Sequence, residues 1–167
     1  FVTGYDTAIN SLQVQDTYIK DGKDHLTTYE EFLDGWISFN YLFLVAYPPE
    51  LENELLEALG PWADSNWAAQ RALDTALAQT QSETGLNNFF AWFNLGTSHV
   101  ALQQYVDAAF AYDQAFTVYA NLQQDDVMRP YRIMWYQTGP YWAYYYSGRY
   151  SDVINLANTT LLDTISE

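Results

Sequence analysis

At 167 residues, 49% of them apolar, the chain is long enough to bury a core and too apolar to be disordered. Its 21 Asp and Glu against six Lys and Arg give a formal charge of −15, which repels a phosphate backbone and an anionic bilayer surface alike. There is no cysteine, hence no disulfide, thiolate nucleophile or Cys-based metal site, and the longest apolar run, residues 41–47, is far too short to span a bilayer.

Residues 1–3 read as extended and end at Gly4. Residues 11–16, Ser-Leu-Gln-Val-Gln-Asp, alternate apolar and polar, the period of a half-buried strand, and 21–24, Asp-Gly-Lys-Asp, form a turn. Thr28 and Glu31 stand three residues apart as in a capping box, which predicts a short helix over 28–35. Residues 39–47 are a near-continuous apolar run of strand length, closed by Pro48-Pro49. Beyond the prolines the pattern turns helical. Leu51, Leu55 and Leu59 recur every four residues until Gly60-Pro61, and helices are predicted over 50–59, 65–81, 86–103, 106–122, about 129–147 and 150–165. Short loops between them imply antiparallel neighbours. The expected fold is mainly α: antiparallel helix pairs over 49–167, preceded by a small β-rich region with one short helix over 1–48. A chain rich in Asn, Gln, Thr and Tyr and poor in Lys suits an extracytoplasmic or secreted bacterial protein. It begins at Phe1, without Met and in mid-strand, which leads to the expectation of a longer parent.

Trp92-x2-Leu95-Gly96-x2-His99, followed by Tyr105, Ala108, Tyr112 and Ala115, resembles a tetratricopeptide repeat over about 34 residues. The resemblance implies two antiparallel helices crossing closely at Gly96 and Ala108, with Trp92, Leu95 and Tyr112 between them; His99 stands where the family has Tyr. A weaker copy follows, so that the likeness covers 86–167. Gly148-Arg149-Tyr150-Ser151-Asp152 parallels Gln103-Gln104-Tyr105-Val106-Asp107, and Tyr141 and Tyr144 hold the places of Gly96 and His99. Pro140 inside that helix predicts a kink. Ala69, Leu73 and Ala76 give a partial earlier copy, about two and a half repeats in all.

The first region, with Phe1-Val2-Thr3-Gly4-Tyr5-Asp6, Leu12-Gln13-Val14-Gln15-Asp16 and Tyr29-x2-Phe32-x3-Trp36, resembles the C-terminal half of papain-like cysteine peptidases of the bacteriocin-processing type. The likeness implies that Asp16 is the group orienting a catalytic His that would lie upstream of Phe1, as would the Cys. Without those two groups this chain is not an active peptidase by itself. Read alone, Asp16 is an aspartate at a strand end before a turn.

The remaining motifs favour structural roles. His25 and His99 have no second metal ligand four residues away, and no Gly-rich phosphate loop or Ser elbow is present, so no cofactor or metal is implied. Asn158-Thr159-Thr160 fits a glycosylation sequon but falls inside a predicted helix. Residues 135–150 hold eight Trp or Tyr. In the repeat frame Tyr141, Tyr144 and Tyr150 point into the packing. Trp135, Trp142 and Tyr145, with Phe90, Phe93 and Thr97 of the preceding repeat, fall on the groove face. That face could anchor a peptide or protein partner, a glycan or a second copy, or be covered by another helix or by the β-rich region. The function expected is a protein-interaction or scaffolding module, the alternatives being the C-terminal part of a cysteine peptidase or a structural subunit of a surface assembly.

Overall fold

The alternation in Ser11–Val14 builds the central strand of a three-stranded antiparallel sheet. Here and below the protein is a computed structural model that describes residues 1–122 and 130–162. The chain divides into two units, Phe1–Phe43 and Leu44–Glu167. In the first, β1 (Val2–Asp6), β2 (Ser11–Val14) and β3 (His25–Thr28) lie in sequence order, with Tyr5 opposite Leu12 and Leu12 opposite Thr27. Gln15 ties the β2–β3 loop. Its carboxamide accepts from the Asp24 N–H at 3.2 Å and donates to the Asp24 carboxylate at 2.7 Å.

Helix α1 (Tyr29–Trp36) starts at the predicted capping box: the Glu31 N–H donates to the Thr28 hydroxyl and the Thr28 N–H to the Glu31 carboxylate. The backbone and side-chain bonds from Thr28 hold the Glu31 carboxyl below its ordinary pKa. The strand expected over 39–47 does not form. Ile37–Phe39 is a 3₁₀ turn, Asn40 and Tyr41 are left-handed at φ 52° and 53°, and the Trp36 indole N–H donates to the Leu42 carbonyl at 2.7 Å. That bond and the left-handed pair turn the chain away from an extended path. The third strand is instead His25–Thr28, hairpin partner of β2 and too short and polar to show an apolar period.

The second unit is helical: α2 (Glu52–Leu59), α3 (Ser65–Ser82), α4 (Gly85–Ala101), α5 (Tyr105–Ala120), α6 (Gly139–Tyr146) and α7 (Tyr150–Leu162). The Asp64 carboxylate caps α3 by accepting from the Trp67 N–H at 2.8 Å. The predicted ends at Arg129 and Ile165 lie outside the described residues. The single kinked helix expected around Pro140 is two elements, a 3₁₀ segment Pro130–Trp135 and then α6. Pro140 sits in the first turn of α6, where its missing N–H leaves no bond unmade, so it starts a helix and does not bend one.

Helices α4 and α5 cross where side chains are smallest. Ala108, Ala111 and Ala115 are fully or almost fully buried, and a Cβ on Gly96 would lie 2.7–2.8 Å from the Tyr112 ring. Phe89, Phe93, Tyr112, Ala143, Tyr144 and Leu156 form one core from α4 to α7, while Ala76, Leu95 and Ala111 join α3 to it.

The α4–α5 and α6–α7 hairpins share one turn. The Gln103 and Gln104 N–H groups reach the Val100 and His99 carbonyls, and those of Gly148 and Arg149 reach Tyr145 and Tyr144, so both helices end in a Schellman motif. The left-handed position is Gly148 at φ 77° in one hairpin and Gln103 at φ 59° in the other. A side chain there costs roughly 1 kcal/mol relative to glycine. Gln103→Gly is therefore expected to raise stability by about that amount, read as a higher urea midpoint; an unchanged or lower midpoint would refute the turn geometry.

Candidate interaction surface

Eight residues make α6, and a period of 3.6 divides them. Pro140, Ala143 and Tyr144 face inward and are buried. Tyr141 is half-buried, and its hydroxyl donates to Thr160 Oγ1 at 2.8 Å. Trp142, Tyr145 and Tyr146 face outward and are each about half exposed, at 50–56%.

The outward rings join two others at the hairpin turns. Tyr105, first residue of α5, stacks on Tyr146 at 4.5 Å between centroids with planes 30° apart, and Trp142 stacks on Tyr146 at 6.1 Å and 18°. Tyr145 meets Tyr146 edge-on at 5.3 Å and Tyr150 at 5.5 Å. Each such pair contributes about 0.5–1.5 kcal/mol beyond area burial, so the rings hold one another in place. The result is a continuous five-ring surface on α5, α6 and α7.

Beneath it lies an ionic staple. Arg149 Nη1 and Nη2 reach the Asp113 carboxylate at 2.6 and 3.0 Å, and Nε reaches Asp152 at 2.6 Å. The Tyr144 hydroxyl donates to Asp113 at 2.9 Å while the guanidinium sits 4.5 Å from the Tyr144 ring centroid. The two carboxylates hold Arg149 protonated. With the side chains of Arg149 and Asp113 37% and 39% exposed, water screens the pair, and it fixes the orientation of α5, α6 and α7 more than it stabilises them.

The candidate residues named from sequence are not all brought together. Phe93 does not line a groove: it is 0% exposed, packs edge-on against Tyr112 at 5.0 Å and belongs to the same core as Met134, Ala143 and Tyr144. Thr97 is half-buried, donates to the Phe93 carbonyl at 3.0 Å and meets the Tyr112 hydroxyl at 3.1 Å, and half-buried Phe90 packs against the core beside Phe89. Trp135 is 53% exposed, but among the described residues no ring contact links it to the cluster. Trp142 and Tyr145 belong to the surface. Tyr150, expected in the packing, is 59% exposed: Tyr105, its counterpart in the first hairpin, is covered by Tyr146 of the second, and among the described residues no later hairpin covers Tyr150. Sequence reasoning passed over Tyr146, whose signal is its place four residues after Trp142.

Asp16 is exposed. Its carboxylate accepts from the Tyr18 N–H at 2.8 Å, and its own N–H donates to the Gly22 carbonyl, so it closes the β2–β3 loop. Among the described residues no histidine hydrogen-bonds to it. Thr160 of the sequon is buried, donating to the Leu156 carbonyl and accepting from Tyr141, which makes it part of the α6–α7 contact. Among the described residues no group of three or more His, Asp or Glu is placed to hold a metal ion, and no helix is long and apolar enough to cross a membrane. Comparison with protein-family models, with curated proteins and with solved structures finds no match to the chain.

Proposed function

We propose that residues 44–167 are a tetratricopeptide-like helix-hairpin module whose task is to dock a protein or peptide segment. The observation that carries this reading is the five-ring surface, in which Trp142, Tyr145, Tyr146 and Tyr150 are exposed and Tyr105 is half-buried, beside a core that has buried aromatics of its own. Contiguous exposed aromatics held rigid by a scaffold are the usual anchors of protein interfaces. The equivalent Schellman turns and the close crossing at Gly96 and Ala108 support the repeat assignment.

Panning a displayed peptide library against the chain, with counter-selection on the Trp142→Ala, Tyr145→Ala double variant, tests it. Selected peptides should bind the parent chain by fluorescence polarisation and the double variant at least tenfold more weakly, about 1.4 kcal/mol or more for two half-buried anchors. The helical circular dichroism of the variant should be unchanged. No enrichment, or equal binding to both chains, would remove the module reading.

A further inference from the structure

The surface just described also indicates the chemistry of its partner. Resting on the interaction-module reading, we propose that the five-ring surface takes a basic segment, with Arg or Lys side chains laid on the exposed faces of Trp142 and Tyr150.

Three observations converge on it. First, the field is negative. The chain carries −15, and residues 44–167 contain no lysine and four arginines, Arg71, Arg129, Arg132 and Arg149. Such a charge raises the encounter rate of a cationic partner and opposes an acidic one. Second, Arg149, the residue before Tyr150, is already committed, because it is held by both Asp113 and Asp152. Asp152 and Asp107 stand in the first turns of α7 and α5, which adds negative charge to the helix starts where Tyr150 and Tyr105 lie. Third, the fold already performs this recognition once. Arg149 rests 4.5 Å from the Tyr144 centroid between two carboxylates, a guanidinium held against an aromatic ring of the same hairpin. The same charge argues against a second copy of the chain on this face, since two bodies of −15 would have to close on one another. A neutral glycan would gain nothing from the field.

The experiment uses three fluorescein-labelled peptides of one length and spacing, differing only in whether Arg, Gln or Glu occupies every third position, and a chito-oligosaccharide as the neutral ring-stacking probe. The Arg peptide should bind at least tenfold more tightly than the Gln peptide in 50 mM salt, weaken with added salt, and show no gain over Glu-peptide background on the Trp142→Leu, Tyr150→Leu variant. Leucine keeps apolar area and removes the electron-rich face, so retained Arg-peptide binding by that folded variant would overturn the proposal. Equal binding of Arg and Gln peptides would overturn it as well, while leaving an apolar docking module standing. Binding of the oligosaccharide alone, or patch-dependent dimerisation in sedimentation, would replace it with a glycan or self-association surface. Failure of every probe would remove the basic segment and count against docking itself.

Discussion

Tyr112→Ala is expected to destabilise the helical unit by about 4 kcal/mol, from the range for truncating a buried aromatic. Tyr112 is 0% exposed and is the hub of the α4–α5–α6 packing. Its ring lies against Gly96 on one side, where even a methyl group would approach to 2.7–2.8 Å, and packs edge-on with Phe93 at 5.0 Å. Its hydroxyl lies so near Gly139 that a Cβ there would overlap it, and it meets Thr97 at 3.1 Å. Alanine would leave a void walled by three helices that cannot close without moving their backbones. Tyr112→Phe fills the same volume and gives up one hydrogen bond, a loss of about 1 kcal/mol. Against a typical domain stability of roughly 5–15 kcal/mol, the alanine variant should be marginal and the phenylalanine variant fully folded. Urea unfolding followed by circular dichroism decides between them. Equal midpoints for the two variants would mean that Tyr112 is not the hub.

Helices were legible wherever small and large residues alternate at helical spacing. Gly96, Ala108, Tyr112 and Ala115 foretell the α4–α5 crossing from types alone, since only small residues admit such an approach. The capping box at Thr28 and Glu31 was legible too, being a local exchange of two bonds. What the chain concealed was set by contacts made at a distance. Residues 39–47 have the composition of a strand, yet a Trp36–Leu42 hydrogen bond and two left-handed residues take them elsewhere. Pro140 was read as a kink because its neighbours continue a helical pattern, whereas its place in a first turn depends on where the preceding segment ends. The surface divided in the same way. The exposure of Trp142 and Tyr145 follows from the period of one helix, but the burial of Phe93 in the core is a tertiary event. Tyr146 and Tyr105 are far apart in sequence and show their meaning only once stacked.

The helical unit should lose stability steeply above pH 10, with Tyr112 and Tyr144 as the causes. Burial pushes the Tyr112 phenol well above its ordinary pKa. Tyr144 is raised by burial first and then by the Asp113 carboxylate, and the opposing pull of Arg149 is weaker than the two together. A tyrosine whose folded pKa exceeds its unfolded value near 10 contributes stability that is complete below that value and is lost as pH rises through the folded one. Above pH 10 the unfolded chain gives up two protons that the folded chain retains. Unfolding free energy should therefore fall by about 1.4 kcal/mol per pH unit for each residue, or roughly 2.7 kcal/mol per unit for the pair. Urea titrations between pH 9 and 11.5 should show it, and Tyr112→Phe or Tyr144→Phe should each halve it. Tyr144→Phe also severs the bond to Asp113, but that loss is the same at every pH below 10 and displaces the curve without tilting it. The double phenylalanine variant separates the two effects: it should be less stable at pH 8 and nearly flat to pH 11. A slope that survives in the double variant would place the alkaline transition in other groups and withdraw the buried-phenol account of this core.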